Sequence, residues 1–253
     1  MRRTVIYDGE TFEITARELL FSVIIVILTL TAGFFIGEKI ASAADERNQE
    51  YEQAAKIDGD KELFEYGMRT DIGNAFVYGT LKAVDPVSLP EIDGEYAYIE
   101  KVEERYTKHT RTVTDYDEDG NVCGSHKETY YTWDAVGHED YACSQITFLD
   151  HAFEYGTVDF PSARYLKTIK ESSKLRYAYY VTEKEYDGTI YARLGNRTIS
   201  GATFIVGKGV NDAVEYMCNS SAVGVVVFWI FWIVLICATI YGFCYLDNRW
   251  VED

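Results

Sequence analysis

The sequence has no Cys-x-x-Cys pair among its five cysteines, which argues against a structural zinc site. Cys237 and Cys244 fall inside an apolar run, leaving Cys123, Cys143 and Cys218 outside it. One bridge, Cys123–Cys143, is open in an oxidising compartment and is not fixed by the sequence. There is no nucleophile elbow, Walker loop, Gly-x-Gly-x-x-Gly or His-Glu-x-x-His, and Ser, His and Asp never recur at a spacing that implies a triad. The expectation is therefore no enzymatic activity, no catalytic residue, no cofactor and no metal. Repeats and low-complexity tracts are missing as well. Positive charge is scarce: 24 Lys and Arg stand against 41 Asp and Glu, a net charge of −17. That balance argues against nucleic acid as a partner.

Two stretches lack charge altogether. Leu19 to Gly37 is a run of 19 such residues and Ser221 to Leu246 a run of 26. At about 1.5 Å of rise per residue, each crosses a hydrocarbon core about 30 Å thick once. The first run resembles a signal peptide in having Arg2 and Arg3 before it and Ala41-Ser42-Ala43 after it, but it exceeds the usual apolar core of about 7–15 residues. The spacing thus predicts a two-pass membrane protein of α+β class. A short cytoplasmic segment (1–18) leads to a first span (19–37), and a helical stalk (38–58) follows it. A β-rich antiparallel domain (59–220), a second span (221–246) and a short tail (247–253) complete the chain. The part between the spans, Glu38 to Ser220, carries 20 Lys and Arg against 34 Asp and Glu, a net −14.

Ahead of the first span, Thr4 to Tyr7 and Thr11 to Ile14 read as a small hairpin turning at Asp8-Gly9, and Thr15 with Glu18 forms a capping box. From Asn74 the pattern is that of strands: Phe76 to Leu81, Tyr96 to Val102, Gln145 to Leu149, Leu175 to Thr182, Thr189 to Leu194 and Ala202 to Val206. Turns are expected at Asp187-Gly188 and Gly195-Asn196, and Asn211 is a candidate cap for a short helix leading to the second span. Between Glu103 and Tyr131 lies a long polar hairpin whose only aliphatics are Val113 and Val122. Arg105, Tyr106, Arg111, Tyr116 and Tyr130 are its candidate partner contacts. Such an arm either packs on the domain through its tyrosines or serves a partner. Its turn, Asp115-x-Asp117-x-Asp119-Gly120, matches the first half of a calcium loop, but His126 stands where the bidentate glutamate belongs. A solvated turn explains those residues equally well.

Within the spans, Thr29, Gly33 and Gly37 form one face of small residues, and Ala238 and Gly242 another. The spans run antiparallel, so the two faces lie at opposite ends and cannot meet within one chain. At least one must pack on bulky residues, on lipid or on a second copy.

The segment Asn74-Ala-Phe-Val-Tyr-Gly-Thr-Leu, with Asp85-Pro86, Ile99-Glu-Lys-Val-Glu-Glu, Asp117-Glu-Asp-Gly-Asn121 and Lys127-Glu-Thr-Tyr-Tyr-Thr-Trp133, resembles the LUMA family of transmembrane proteins. A fainter likeness continues from Leu175 to Tyr216. The domain is also similar to the membrane-adjacent domain of GIDE-type ubiquitin ligases, without their RING, since only Asp247 to Asp253 follow the second run. LUMA proteins carry several C-terminal spans where this chain has one. The resemblance implies a non-catalytic domain on the lumenal or extracytoplasmic side that organises membrane complexes or senses membrane state. The flanking basic residues divide four against four between the two sides, so the resemblance alone tips the domain outward with both termini cytoplasmic. The expected partners are the lipid bilayer, a second copy of the chain, or other membrane proteins. The alternatives are an oligomeric membrane-perturbing effector and a membrane-bound metal-dependent enzyme.

Overall fold

A computed structural model of the protein describes the backbone of residues 5–8, 13–117 and 120–252, with side chains over 19–117 and 120–245. In chain order the elements begin β1 (Val5–Asp8), β2 (Glu13–Thr15), α1 (Ala16–Gln53), β3 (Ala55–Asp58), α2 (Lys61–Thr70) and β4 (Gly73–Ala83). They continue with β5 (Tyr96–Tyr116), β6 (Val122–Ala142), β7 (Gln145–Phe148), β8 (His151–Glu154) and β9 (Val158–Asp159). Last come β10 (Arg164–Lys170), β11 (Leu175–Glu183), β12 (Glu185–Gly195), β13 (Thr198–Val206) and α3 (Val210–Glu252). The class is α+β: a β-rich, mostly antiparallel body flanked in sequence by two long apolar helices. The chain divides into two units, Met1–Gln53 with Val214–Asp253, and Ala54–Ala213.

In the first unit, α1 and α3 are long and apolar enough to cross a membrane, and only 6% of the most apolar stretch of each is buried. Helix α1 begins directly after Thr15, where the capping box puts it. The preceding hairpin needs a correction. Asp8, expected in the turn, belongs to β1 and pairs with Glu13; Gly9, the other expected turn residue, lies outside the described residues.

The second unit corrects two boundaries. The helical stalk expected through Asp58 stops at Gln53, because Ala55–Asp58 leaves the helix and pairs in parallel with β4. That pairing satisfies the backbone of the segment and sinks Ile57 into the main core at 1% exposure. At the other end the body stops near Ala213, because α3 is one continuous helix from Val210 rather than a short helix followed by a span.

The larger sheet runs β8-β7-β4-β12-β13-β9, with β3 on the same edge of β4 as β7. Asp60 caps α2, accepting the Leu63 N–H at 2.9 Å, and Phe64 and Met68, one turn apart, drop onto the sheet among Val77, Leu81, Ile190 and Leu194. The smaller sheet runs β10-β11-β5-β6, and its core gathers Ile99, Tyr179 and Val181 under Ile92 and Tyr96. Asp187-Gly188, expected as a turn, lies inside β12. A Cβ at residue 188 would collide with the Ile205 carbonyl oxygen, so glycine is there for the close approach of β13.

Asp85 ties the two sheets together. Its carboxylate accepts the Ser144 hydroxyl at 2.7 Å, the Ser144 N–H at 2.9 Å and the Gln145 N–H at 3.1 Å, so the loop after β4 is held to the connection between β6 and β7. The Ser144 hydroxyl, then these backbone N–H groups, hold the carboxyl below its ordinary range. A depressed folded-state value adds stability that is complete above the ordinary carboxylate range and is lost as pH falls through the folded value. Asp85→Asn is therefore expected to be less stable than the parent at pH 7, with the gap closing on acidification. Denaturant midpoints of the two proteins from pH 7 to pH 3 check this; a gap that does not change with pH would contradict it.

Candidate interaction surface

Strand β5 changes character halfway along. Up to Val102 every residue is buried or half-buried, and beyond Val102 none of it is buried. Strand β6 has no buried residue at all. The reason is pairing: β11 covers the outer edge of β5 only as far as Arg105, opposite Leu175. The Tyr106 N–H still donates to the Lys174 carbonyl at 3.0 Å; from Thr107 to Tyr116, β5 pairs with β6 alone, and β6 is itself the edge of its sheet. The result is a two-stranded ribbon, about 35 Å long at about 3.3 Å per residue, with both edges free. The sequence placed the return strand only to Trp133; it continues to Ala142, its polar residues facing solvent on both sides.

Cross-strand register sorts the five candidate contacts onto two faces. Tyr106 pairs with Trp133 and stacks on Tyr131 at 5.3 Å, and Arg176 from β11 lies 4.3 Å over the Trp133 ring. On the other face Arg111 reaches Glu128 at 2.7 Å and lies over Tyr130, which stacks on His109 at 5.4 Å. Arg105 pairs with Glu103 of its own strand at 2.8 Å. Tyr116, 64% exposed, stands at the end of the strand beyond a bulge. The five do not form one patch. Tyr106 and Tyr130 pack on ribbon neighbours and remain well exposed, at 40% and 41%, instead of docking on the domain core. Trp133, Tyr131 and Arg176 join the aromatic face. Alternation along the two strands was the available signal for the first two, whereas Arg176 is contributed by a strand distant in sequence.

A polar cluster sits at the ribbon's base. Asp134 accepts from Thr132 at 2.6 Å, from His109 Nε2 at 2.5 Å and from Thr107. The hydrogen bonds from Thr132 and then His109 hold its carboxyl below the ordinary range. Thr107 and Asp134 both meet the same ring nitrogen, whereas a proton relay needs the base's two nitrogens to serve nucleophile and carboxylate separately. These contacts lock the register of the ribbon. At the tip, Asp115 pairs with His126 at 2.7 Å and Asp117 accepts the Asn121 N–H at 2.8 Å, which is a hairpin turn; Glu118 and Asp119 lie outside the described residues. Among the described residues no three His, Cys, Asp or Glu side chains cluster as metal ligands would.

No family model, curated protein or solved structure matches the chain. The two exposed faces of the ribbon and the two apolar helices are thus the features from which function has to be read.

On the helices, the Thr29, Gly33 and Gly37 face is filled by aromatics from the same chain. Gly33 lies under the Trp232 indole, whose Nε1 donates to the Thr29 carbonyl at 3.0 Å, and Gly37 lies under Trp229 and Phe228. Ala238 is exposed, and a Cβ added at Gly242 would meet nothing within 4 Å. Cys123, exposed near the ribbon tip, and Cys143, buried at its root, stand at opposite ends of one continuous strand. At about 3.3 Å per residue they are tens of ångströms apart, so the bridge the sequence left open does not form.

Proposed function

We propose that this protein is a non-catalytic, two-pass integral membrane protein whose β-rich body presents the β5–β6 ribbon to other proteins. The observation that carries the reading is the ribbon itself, formed by β6 and the part of β5 beyond Val102, which bury no residue yet display an ordered aromatic face and a free edge. An isolated hairpin is marginal in water, and a long unpaired edge is a liability that chains ordinarily blunt. A role in recognition, by aromatic contact or by addition of a strand to β6, accounts for keeping it. Supporting the membrane part are the helices' exposed apolar sides, including Leu20, Leu28, Phe35, Ile230 and Phe231 at 57% or more exposure, which would cost too much left in water. The resemblance to LUMA proteins supports a body on the extracytoplasmic or lumenal side, both termini cytoplasmic, and a task in organising membrane complexes. The open Ala238/Gly242 face supports self-association, and through it the second reading, an oligomeric effector that perturbs the bilayer.

Cys123 supplies the test. A membrane-impermeant maleimide applied to sealed cells is expected to label it and to leave Cys143 unmodified. A photo-cross-linker attached through the same thiol should give one discrete adduct in native membranes. Protection of Cys123 until the membrane is opened would overturn the topology, and absence of any adduct would overturn the role of the ribbon.

A further inference from the structure

Away from the ribbon, a pocket of about 300 Å³ opens between the last turn of α2 and two β-turns, lined by Glu65, Met68, Arg69, His151 and Arg197. We propose that it binds a single oxyanion of phosphate type. In a chain of net charge −17, two arginines share this rim, and among the described residues neither makes an ion pair. Two guanidinium forks offer paired N–H groups in the geometry that phosphate oxygens accept. Of the carboxylates close by, Asp150 is paired with Lys61 at 2.9 Å, and neither it nor Asp71 lines the pocket, whose one acid is Glu65.

Two further observations point to the same place. Arg197 has φ +60° at the second central position of the β12–β13 turn, where Asn-Gly is the strain-free pair, so an arginine stands at a position that suits glycine. Its N–H donates to the Met68 carbonyl at 3.0 Å, which anchors the residue over α2. In addition, His151 Nε2 is closed to solvent and has no hydrogen-bond partner. An unsatisfied buried ring nitrogen is costly, and a small turn of the His151 ring toward the pocket it lines would bring that nitrogen within reach of an anion drawn in by the exposed arginine side chains.

The oxyanion could come from a free phosphate compound or from a phospholipid headgroup, and the experiment separates them. The full chain in a zwitterionic detergent is titrated with inorganic phosphate against a chloride control of equal ionic strength, and its retained phosphatidic acid is measured by native mass spectrometry. Saturable phosphate binding assigns a free anion, and phosphatidic acid retained without phosphate binding assigns a headgroup. In either case Arg69→Gln and Arg197→Gly are each expected to weaken binding about tenfold or more. Arg197→Gly should melt at an unchanged or higher temperature in phosphate-free buffer, because it relieves the left-handed backbone, so its lost binding cannot be ascribed to misfolding. Neither ligand bound, phosphate no better than chloride, or binding untouched by Arg197→Gly would each overturn the proposal.

Discussion

Excising Thr107 to Thr132 and joining Tyr106 to Trp133 through an Asn-Gly turn is expected to leave the body folded, with a melting temperature within a few degrees of the parent, while abolishing the Cys123-independent capture of its partner. The cut follows the register. Tyr106 and Trp133 are directly opposed, so a two-residue turn closes a regular hairpin there, whereas a cut ending at Lys127 would leave Glu128 to Thr132 without a strand to face. The stability argument rests on burial. The excised residues contribute nothing to either core, and most of their cross-strand contacts, about 0.2–1 kcal/mol per pair, are made to one another and leave together. The contacts that cross the cut are at the surface: Asp134 loses Thr107, His109 and Thr132 but is 34% exposed and can be solvated, and Tyr106 loses the stacked Tyr131. Arg176 keeps Glu104 at 2.6 Å and the Trp133 ring, both retained, so the β11 side of the sheet is undisturbed. Co-purification from native membranes with a terminal affinity tag reads the partner, and thermal melting reads the fold. An unfolded body would make the ribbon a structural element, and full retention of the partner would move recognition elsewhere.

What the sequence made legible follows from how locally each feature is encoded. Strands that bury residues on both faces, such as β4 and β11, announce themselves by apolar content between turns, and the Asn196 turn by its chemistry. Asp187-Gly188 carries the same local chemistry but sits inside a strand, because what demands glycine there is the Ile205 carbonyl, seventeen residues away and visible only in the folded chain. The end of β6 was lost for the opposite reason: with neither face buried, nothing enforces alternation. Helix α2 carries a local signature, Asp60 at the cap and Phe64 and Met68 at i, i+4, but it is short and Gly67 interrupts it. Arg69, His151 and Arg197 lie on three separate elements, so no spacing in the sequence could have joined them. The helix faces show the same limit. Antiparallel direction alone says that Gly33 and Gly242 cannot meet, but not that an indole fills the space above Gly33.

That indole makes Gly33→Leu the most disruptive single change expected in the helical unit. A Cβ at this position already collides with three atoms of Trp232, and a leucine forces the whole ring away from α1. Overpacking a fitted contact costs about 1–3 kcal/mol, and the bond from Trp232 Nε1 to the Thr29 carbonyl is lost with it. The native sequence provides a reporter. Ser22 Oγ lies 3.9 Å from Cys244 Sγ, so Ser22→Cys should form a disulfide with Cys244 that holds α1 to α3 after the body between them is cleaved by protease. In the Gly33→Leu background this linkage is expected to fall several-fold under mild oxidation. Gly242→Leu is the matched control, because the added side chain enters open space: linkage within the chain should persist, and only association between copies should change. Equal linkage in both backgrounds would mean that α1 and α3 do not depend on the Gly33–Trp232 contact. A loss caused by Gly242→Leu instead would relocate the packing face to the end of α3 that carries Ala238.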